Sequence, residues 1–257
     1  MMDLKLIIMN VISIFWYFIP LLILIVIFKS PWFKGYIGEV IVNFTINIRL
    51  DKDDYHLIKN VTLPTEDGTT QIDHILVSSK GIFVLETKNM KGWIFGSEKQ
   101  RQWTQKVFKH TSKFQNPLHQ NYKHTKTLSS CLDIPDSKIF SVIVFVGDSE
   151  FKTEMPENVT YAGGFIRYIN SKQETILSAT EIRLAIQKIE TGRLKPSIKT
   201  HREHAQHVKD IKVQKAFGKS CPKCGSTMVH RVSKKGANAG NKFWGCSQFP
   251  KCRAICT

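Results

Sequence analysis

Apolar residues run without a charge from Leu6 to Phe28, with Asn10 and Ser13 as the strongest polar breaks. At about 1.5 Å per residue the run reaches about 34 Å, enough to cross a hydrocarbon core of about 30 Å. It predicts an N-terminal transmembrane helix, in which Pro20 can form a kink. A cleaved signal peptide is the competing reading, but it requires a shorter apolar core and a small-residue cleavage site. Here Lys29-Ser30-Pro31-Trp32-Phe33-Lys34 follows. Beyond Gly35 the pattern changes. Ile37, Val40, Ile41, Phe44 and Ile48 recur at helical spacing, opened by Gly38-Glu39. Residues 56–63 alternate as a strand, ended by Pro64 and the Glu66-Asp67-Gly68 turn. Residues 71–89, QIDHILVSSKGIFVLETKN, read as two strands, and 93–95 and 102–108 as shorter ones. Asn116-Pro117 is a capped helix start, and Leu118, Tyr122, Leu128 and Leu132 share one side of that helix. IFSVIVFV (139–146) is a fully buried strand by its continuous apolar run. Ser178 and Glu181 form a capping box for a last helix that Gly192 stops. The sequence order predicts a mixed α/β domain.

Charge divides the chain differently from hydropathy. Residues 35–192 are nearly balanced, with 19 basic and 18 acidic groups, whereas 193–257 carry 15 basic and 2 acidic groups. The expected organisation is a membrane anchor (1–34), an α/β domain (35–192), a basic linker (193–219) and a small cysteine module (220–257). A basic tail suits nucleic acid or anionic lipid; a solvated linker is the bland alternative. Lys29 and Lys34 follow the apolar run while only Asp3, Lys5 and the amino terminus precede it. The positive-inside rule therefore predicts a single-pass protein with its bulk in the cytoplasm.

Within the apolar hairpin stand Asp73, Glu86 and Lys88, and buried charges need a partner or a metal. A loop closed at Ser78-Ser79-Lys80-Gly81 sets Val77 against Ile82, Ile75 against Val84 and Asp73 against Glu86, with Lys88 on the same face. A three-residue Ser79-Lys80-Gly81 loop would instead send the two acids to opposite faces. In the first register two like charges meet, and a divalent cation with oxygen ligands is one resolution. A structural salt bridge of Lys88 with Glu86 or Asp73 is the other. His74 points to the opposite face and reads as a packed or hydrogen-bonded histidine. Trp93 and Trp103 read as packing residues.

GEV (38–40), QIDHILVSSKGIFVLETKNMKG (71–92) and NPLHQN (116–121) together resemble the nuclease-related domain family, a branch of the PD-(D/E)xK nucleases. The resemblance implies a restriction-endonuclease-like mixed sheet flanked by helices. It implies Mg²⁺ or Mn²⁺ held by Asp73 and Glu86, with Lys88 as the motif lysine, Glu39 as the acidic residue of the first helix, and Gln120 near the site. Ile72 stands where the family pattern has proline, and His124, four after Gln120, stands where a related pattern has tyrosine.

The tail carries Cys221, Cys224, Cys246 and Cys252, as CPKCG and CSQFPKC. Two such pairs make one tetrahedral zinc site. Cys131 and Cys256 are left over. Phe243 and Trp244, with Lys223, Arg231, Lys234, Lys235, Lys242, Lys251 and Arg253, combine aromatic planes with cations, the chemistry of single-strand binding. A tiny core on the zinc site is the equal alternative for the two aromatics. This span resembles the four-cysteine zinc finger of bacterial type IA topoisomerases, which implies DNA binding without catalysis. Gly218-Lys219-Ser220 has the ending of a phosphate loop, but position 213 is Val, so no nucleotide cofactor is expected.

Three readings follow. The first is a membrane-anchored, metal-dependent deoxyribonuclease, endo or exo, whose tail binds DNA. The second is the same fold, catalytically idle, tethering nucleic acid to the membrane. The third is a topoisomerase-associated DNA-binding factor, resting on the tail alone.

Overall fold

The computed structural model describes residues 18–65, 68–194, 221–226, 228–232, 242–246 and 248–256. The first helices are α1 (Phe18–Lys29) and α2 (Pro31–Arg49), bent by 63° at Ser30. Then come β1 (Tyr55–Thr65), β2 (Gly68–Ser78), β3 (Gly81–Asn89), β4 (Gly92–Phe95), β5 (Gln102–Val107) and β6 (His110–Gln115). Helix α3 (Pro117–Leu132) leads through a 3₁₀ turn to β7 (Ile139–Val146), β8 (Ser149–Phe151), β9 (Val159–Tyr161), α4 (Phe165–Ser171) and α5 (Ala179–Gly192). The C-terminal residues form a separate unit containing β10 (Met228–Val232), β11 (Lys242–Cys246) and β12 (Ile255–Cys256).

The larger sheet has the order β1-β2-β3-β7-β9, antiparallel between β2 and β3 and parallel across β3, β7 and β9. A crossover through β4–β6 and α3 separates β3 from β7, as a parallel pair requires. Ile75, Val77, Ile82 and Val84 face α3 and α5 on one side of this sheet. Leu76, Phe83 and Leu85 face α2 and α4 on the other. The smaller sheet, β6-β5-β4-β8, packs Ile94 and Trp103 with Phe145 of β7. The domain is therefore mixed α/β, with two mixed sheets flanked by helices.

The β2–β3 turn follows the first of the two registers. Ser78 pairs with Gly81, Val77 with Ile82 and Ile75 with Val84. Gly81 has φ +122°, and a Cβ there would lie 2.7 Å from Phe140, so the turn needs glycine twice over. Asn116 caps α3 by accepting from the Leu118 amide, and the Ser178–Glu181 capping box opens α5.

Four expectations are corrected. Helix α2 starts at Pro31, capped by the Ser30 side chain, not at Gly38-Glu39. Its core face is Gly38, Val42 and Ile46, whereas Val40, Ile41, Phe44 and Ile48 are exposed. Tyr122 is also exposed; α3 buries Pro117, Asn121, His124, Leu128 and Leu132. Trp103 is buried, its Nε1 donating to the Ser97 carbonyl, but Trp93 is 45% exposed beneath the ammoniums of Lys106 and Lys152.

Among the described residues no single helix is long and apolar enough to cross a membrane, though the bent α1–α2 pair passes by length and composition. The predicted span 6–28 lies outside the described residues as far as 17. The linker lies outside them from 195 onward.

Candidate active site and zinc module

The opening strands of the larger sheet end on the side of α3 that carries Gln120. Residues 82, 84, 86 and 88 alternate to that face, so Glu86 and Lys88 project where the hydrophobic ladder stops. The described β2–β3 ladder ends at His74–Leu85, and Asp73 leaves it: its Oδ2 accepts from the Thr87 amide at 2.9 Å. The Lys88 ammonium donates to Glu86 Oε1 at 2.5 Å and to Gln120 Oε1 at 2.9 Å. Gln120 Nε2 in turn donates to Glu86 Oε1 at 2.7 Å. The three side chains close a ring of hydrogen bonds.

Glu39 arrives from α2. Gly38 makes this possible, because a Cβ there would lie 3.0 Å from Val146 and 3.1 Å from Asn89. The missing side chain lets the helix lie against β3 and β7 with Glu39 half-buried beside the acids. The helix start is also tied down, Asn89 Nδ2 donating to the Lys34 carbonyl at 2.7 Å.

The acids share an electrostatically coupled site. Burial raises the Asp73 pKa well above the usual carboxylate range, and the charge of Glu86 adds to it. Glu39 is raised by burial and then by Glu86. Burial also opposes ionisation of Glu86, but Lys88 and His124 outweigh it and lower its pKa. One carboxylate is thus held ionised next to one that resists ionisation, as expected where like charges meet. His74, on the opposite face, is pushed down to about 4 by burial, with Lys59 acting in the same direction.

Two more residues meet the site: the sequence marks His124 only as a departure from a related pattern, and it gives Asn121 no role. His124 Nε2 lies 3.3 Å from Glu86 Oε2, and its Nδ1 lies 2.7 Å from the Thr70 hydroxyl. Buried Asn121 donates to the Val84 carbonyl at 2.8 Å and to the Ser141 hydroxyl at 2.9 Å, fastening α3 to β3 and β7. The spacing Gln120–His124, one helical turn, was the available signal for the first.

A divalent cation fits the donor set in chemical kind: carboxylate oxygens, one without a good hydrogen bond (Glu86 Oε2). Mg²⁺ needs only one or two carboxylates, with water and phosphate supplying the remainder. The acids do not close into a three-ligand cage by themselves; among the described residues only the four cysteines do so.

Those four cysteines define the tail. The Sγ atoms of Cys221, Cys224, Cys246 and Cys252 all lie within 4.8 Å of one another, with 3.6 Å between Cys221 and Cys252 and 3.4 Å between Cys224 and Cys246. Thiolates around one zinc stand about 3.8 Å apart, given Zn–S of about 2.3 Å; a disulfide of about 2.05 Å is excluded. Gly225 takes φ +72° in the first knuckle, where the Cys221 amide bonds the Ser226 carbonyl at 2.7 Å. The amide and hydroxyl of Ser226 draw the Cys224 thiol down to about 6. Trp244 is half-buried against the cysteine cluster, which favours its core reading; Phe243 is also half-buried. Lys223, Lys251 and Arg253 are exposed. Lys234 and Lys235 lie outside the described residues, as do the side chains of Arg231 and Lys242.

A mixed α/β domain with coupled acids, a lysine and a glutamine at one strand end, joined to a tetrathiolate module, is the make-up of a nuclease-like, DNA-binding protein. The comparisons agree. Residues 34–146 match the nuclease-related domain, and residues 218–257 match the topoisomerase DNA-binding C4 zinc finger. An uncharacterized protein of Bacillus anthracis is 40% identical over 161 residues, 62% of this chain and 74% of the relative. The chain belongs to the nuclease-related domain family and carries a topoisomerase-type four-cysteine zinc ribbon.

Proposed function

We propose that the protein is a membrane-anchored nuclease that hydrolyses DNA phosphodiester bonds at Asp73, Glu86 and Lys88, on a restriction-endonuclease-like fold. The observation that carries this reading is the convergence of Lys88 and Gln120 on Glu86 beside the raised carboxyl of Asp73. Asp73 and Glu86 would hold Mg²⁺ or Mn²⁺, with Glu39 assisting. When bound, such an ion supplies Lewis-acid polarisation of a phosphoryl oxygen and a lowered pKa for water. Lys88 spends two of its three N–H donors on Glu86 and Gln120, and the third is available to a phosphate oxygen as charge grows on it. Gln120 fixes the ammonium, so the donor is placed before substrate arrives. The zinc ribbon and its basic approach hold DNA by phosphate contacts. The apolar N-terminus anchors the chain in a single pass, with the catalytic unit on the cytoplasmic side.

A second reading has one observation in its favour. Glu86 Oε1 is already bonded to Lys88 and Gln120, as in a structural ion pair, and an idle site that only tethers DNA would keep that arrangement. Incubating the purified chain with circular and linear DNA in Mg²⁺ or Mn²⁺, beside EDTA controls, separates the two. The nuclease reading expects cation-dependent nicking or degradation that Glu86→Ala abolishes. Cutting by Glu86→Ala at the parent rate removes the assigned site.

A further inference from the structure

Helix α2 has two apolar faces, and only one of them is used. Gly38, Val42 and Ile46 pack on the sheet. On the opposite side Trp32, Tyr36, Val40, Phe44 and Ile48 recur every four residues, an unbroken row along one flank of a helix. All are exposed, Trp32 by 74%, Phe44 by 66% and Ile48 by 62%. From Tyr36 to Ile48 the only charged residue is half-buried Glu39, which is turned toward the acids. A contiguous apolar row of this kind on a folded domain marks a surface that something covers.

The helix before it says what the cover is. Every residue of α1 from Phe18 to Phe28 is apolar and exposed, and it joins α2 through Ser30 alone. Phe28 and Phe33 pack edge-to-face across the bend at 4.9 Å, and Trp32 stacks on Tyr36 at 6.2 Å. Lys29 and Lys34 flank the bend. Tryptophan, tyrosine and lysine at the end of an apolar helix are the composition of a membrane–water interface. Helix α2 cannot itself cross the bilayer, because its inner face is committed to the sheet. An amphipathic helix with one face in protein and the other apolar lies in the interface plane.

We propose that the outer face of α2 is seated in the headgroup region of the bilayer, so that a helix of the catalytic domain doubles as an interfacial helix. The inference rests on the membrane-anchored reading of α1, and extends it from a tether to a docked domain. The 63° bend at Ser30 is then the corner between a helix entering the bilayer and one lying along its surface.

The test uses the full chain reconstituted into phosphatidylcholine–phosphatidylglycerol vesicles, carrying p-benzoyl-phenylalanine in place of Phe44 or, as control, of Tyr122, which is exposed on α3. Irradiation should give a lipid adduct, read by mass spectrometry, at several times the control yield from position 44. A covalent dimer from position 44 overturns the proposal, because a second copy then covers the row. Control-level adduct overturns it equally, since the row is then in water. Phe44→Glu should leave flotation intact, because α1 still anchors, while raising the accessibility of an Ile48→Cys label to an aqueous quencher. Unchanged accessibility counts against the seat. A parent chain that fails to float with vesicles overturns the anchor itself, whereas one that floats without the position-44 adduct overturns only the docked helix.

Discussion

Asp73→Asn distinguishes a metal site from a structural ion pair. Asparagine keeps an oxygen for the Thr87 amide, now at 2.9 Å, and deletes the charge. The native pKa of Asp73 is raised by burial and by Glu86, so between the ordinary value and the native one the folded state binds more protons than the unfolded. Stability contributed by the protonated form is complete below the unfolded pKa of about 3.9, and falls as pH rises toward the native value. Asparagine removes that loss. At about pH 8 the metal-free variant should therefore be at least as stable as the parent. Cation binding reverses the order. An ion present at about 100 times its Kd adds about 2.7 kcal/mol to the parent. That is a Tm rise of about 5–10 °C for a protein of this size, and most of it should vanish in the variant. The assay is calorimetry of both proteins with millimolar Mg²⁺ and with EDTA, alongside DNA cleavage. An idle site, in which Glu86 keeps its bonds to Lys88 and Gln120 whatever stands at 73, predicts the same Mg²⁺ response from parent and variant. Equal Mg²⁺ responses would refute the metal-site assignment.

Four further outcomes are expected. His74 is held near 4 by burial, below its ordinary 6.5, so its contribution is present above 6.5 and is lost as pH falls toward 4. The loss is about 3 kcal/mol at 1.36 kcal/mol per unit, and urea titrations across this range should be flatter for His74→Gln. Gly38→Val should destabilise by about 1–3 kcal/mol in thermal melts and depress cleavage, because it forces α2 and Glu39 away from the sheet. Cys246→Ser should abolish zinc retention, measured by chelator release, and weaken DNA binding most at low salt. Phe108, 91% exposed at φ +52°, is a bulky residue in a left-handed turn, so Phe108→Gly should raise stability by about 1 kcal/mol in the same melts.

What the sequence made legible depended on how local the determinant was. The β2–β3 turn was readable at Gly81, but its register only as one of two, since a one-residue change of loop length inverts every side chain; the structure holds the first. The helix caps were readable outright, Asn116-Pro117 and Ser178–Glu181 being self-contained. The face of α2 was not. Ile37, Val40, Ile41, Phe44 and Ile48 look like a core stripe because hydrophobicity does not say what covers it, and glycine, the residue that touches the sheet most closely, has no hydropathy signal. The short strands β6, β8 and β9 and helix α4 carry too few periodic residues to register. At the site, Asp73, Glu86 and Lys88 stood out as charges in an apolar run. His124 and Asn121 did not, because their meaning depends on a helix packing across strands distant in sequence.

Only nine residues separate Ser30, the corner between the first two helices, from Glu39 at the acids. At about 1.5 Å per residue that is about 14 Å of continuous helix, with no flexible stalk. In the anchored reading, the chemistry is confined to a thin layer above the lipid. The protein would meet its substrate by a two-dimensional search, acting on DNA that is brought to or drawn across that layer and leaving the rest of the cell's DNA out of reach.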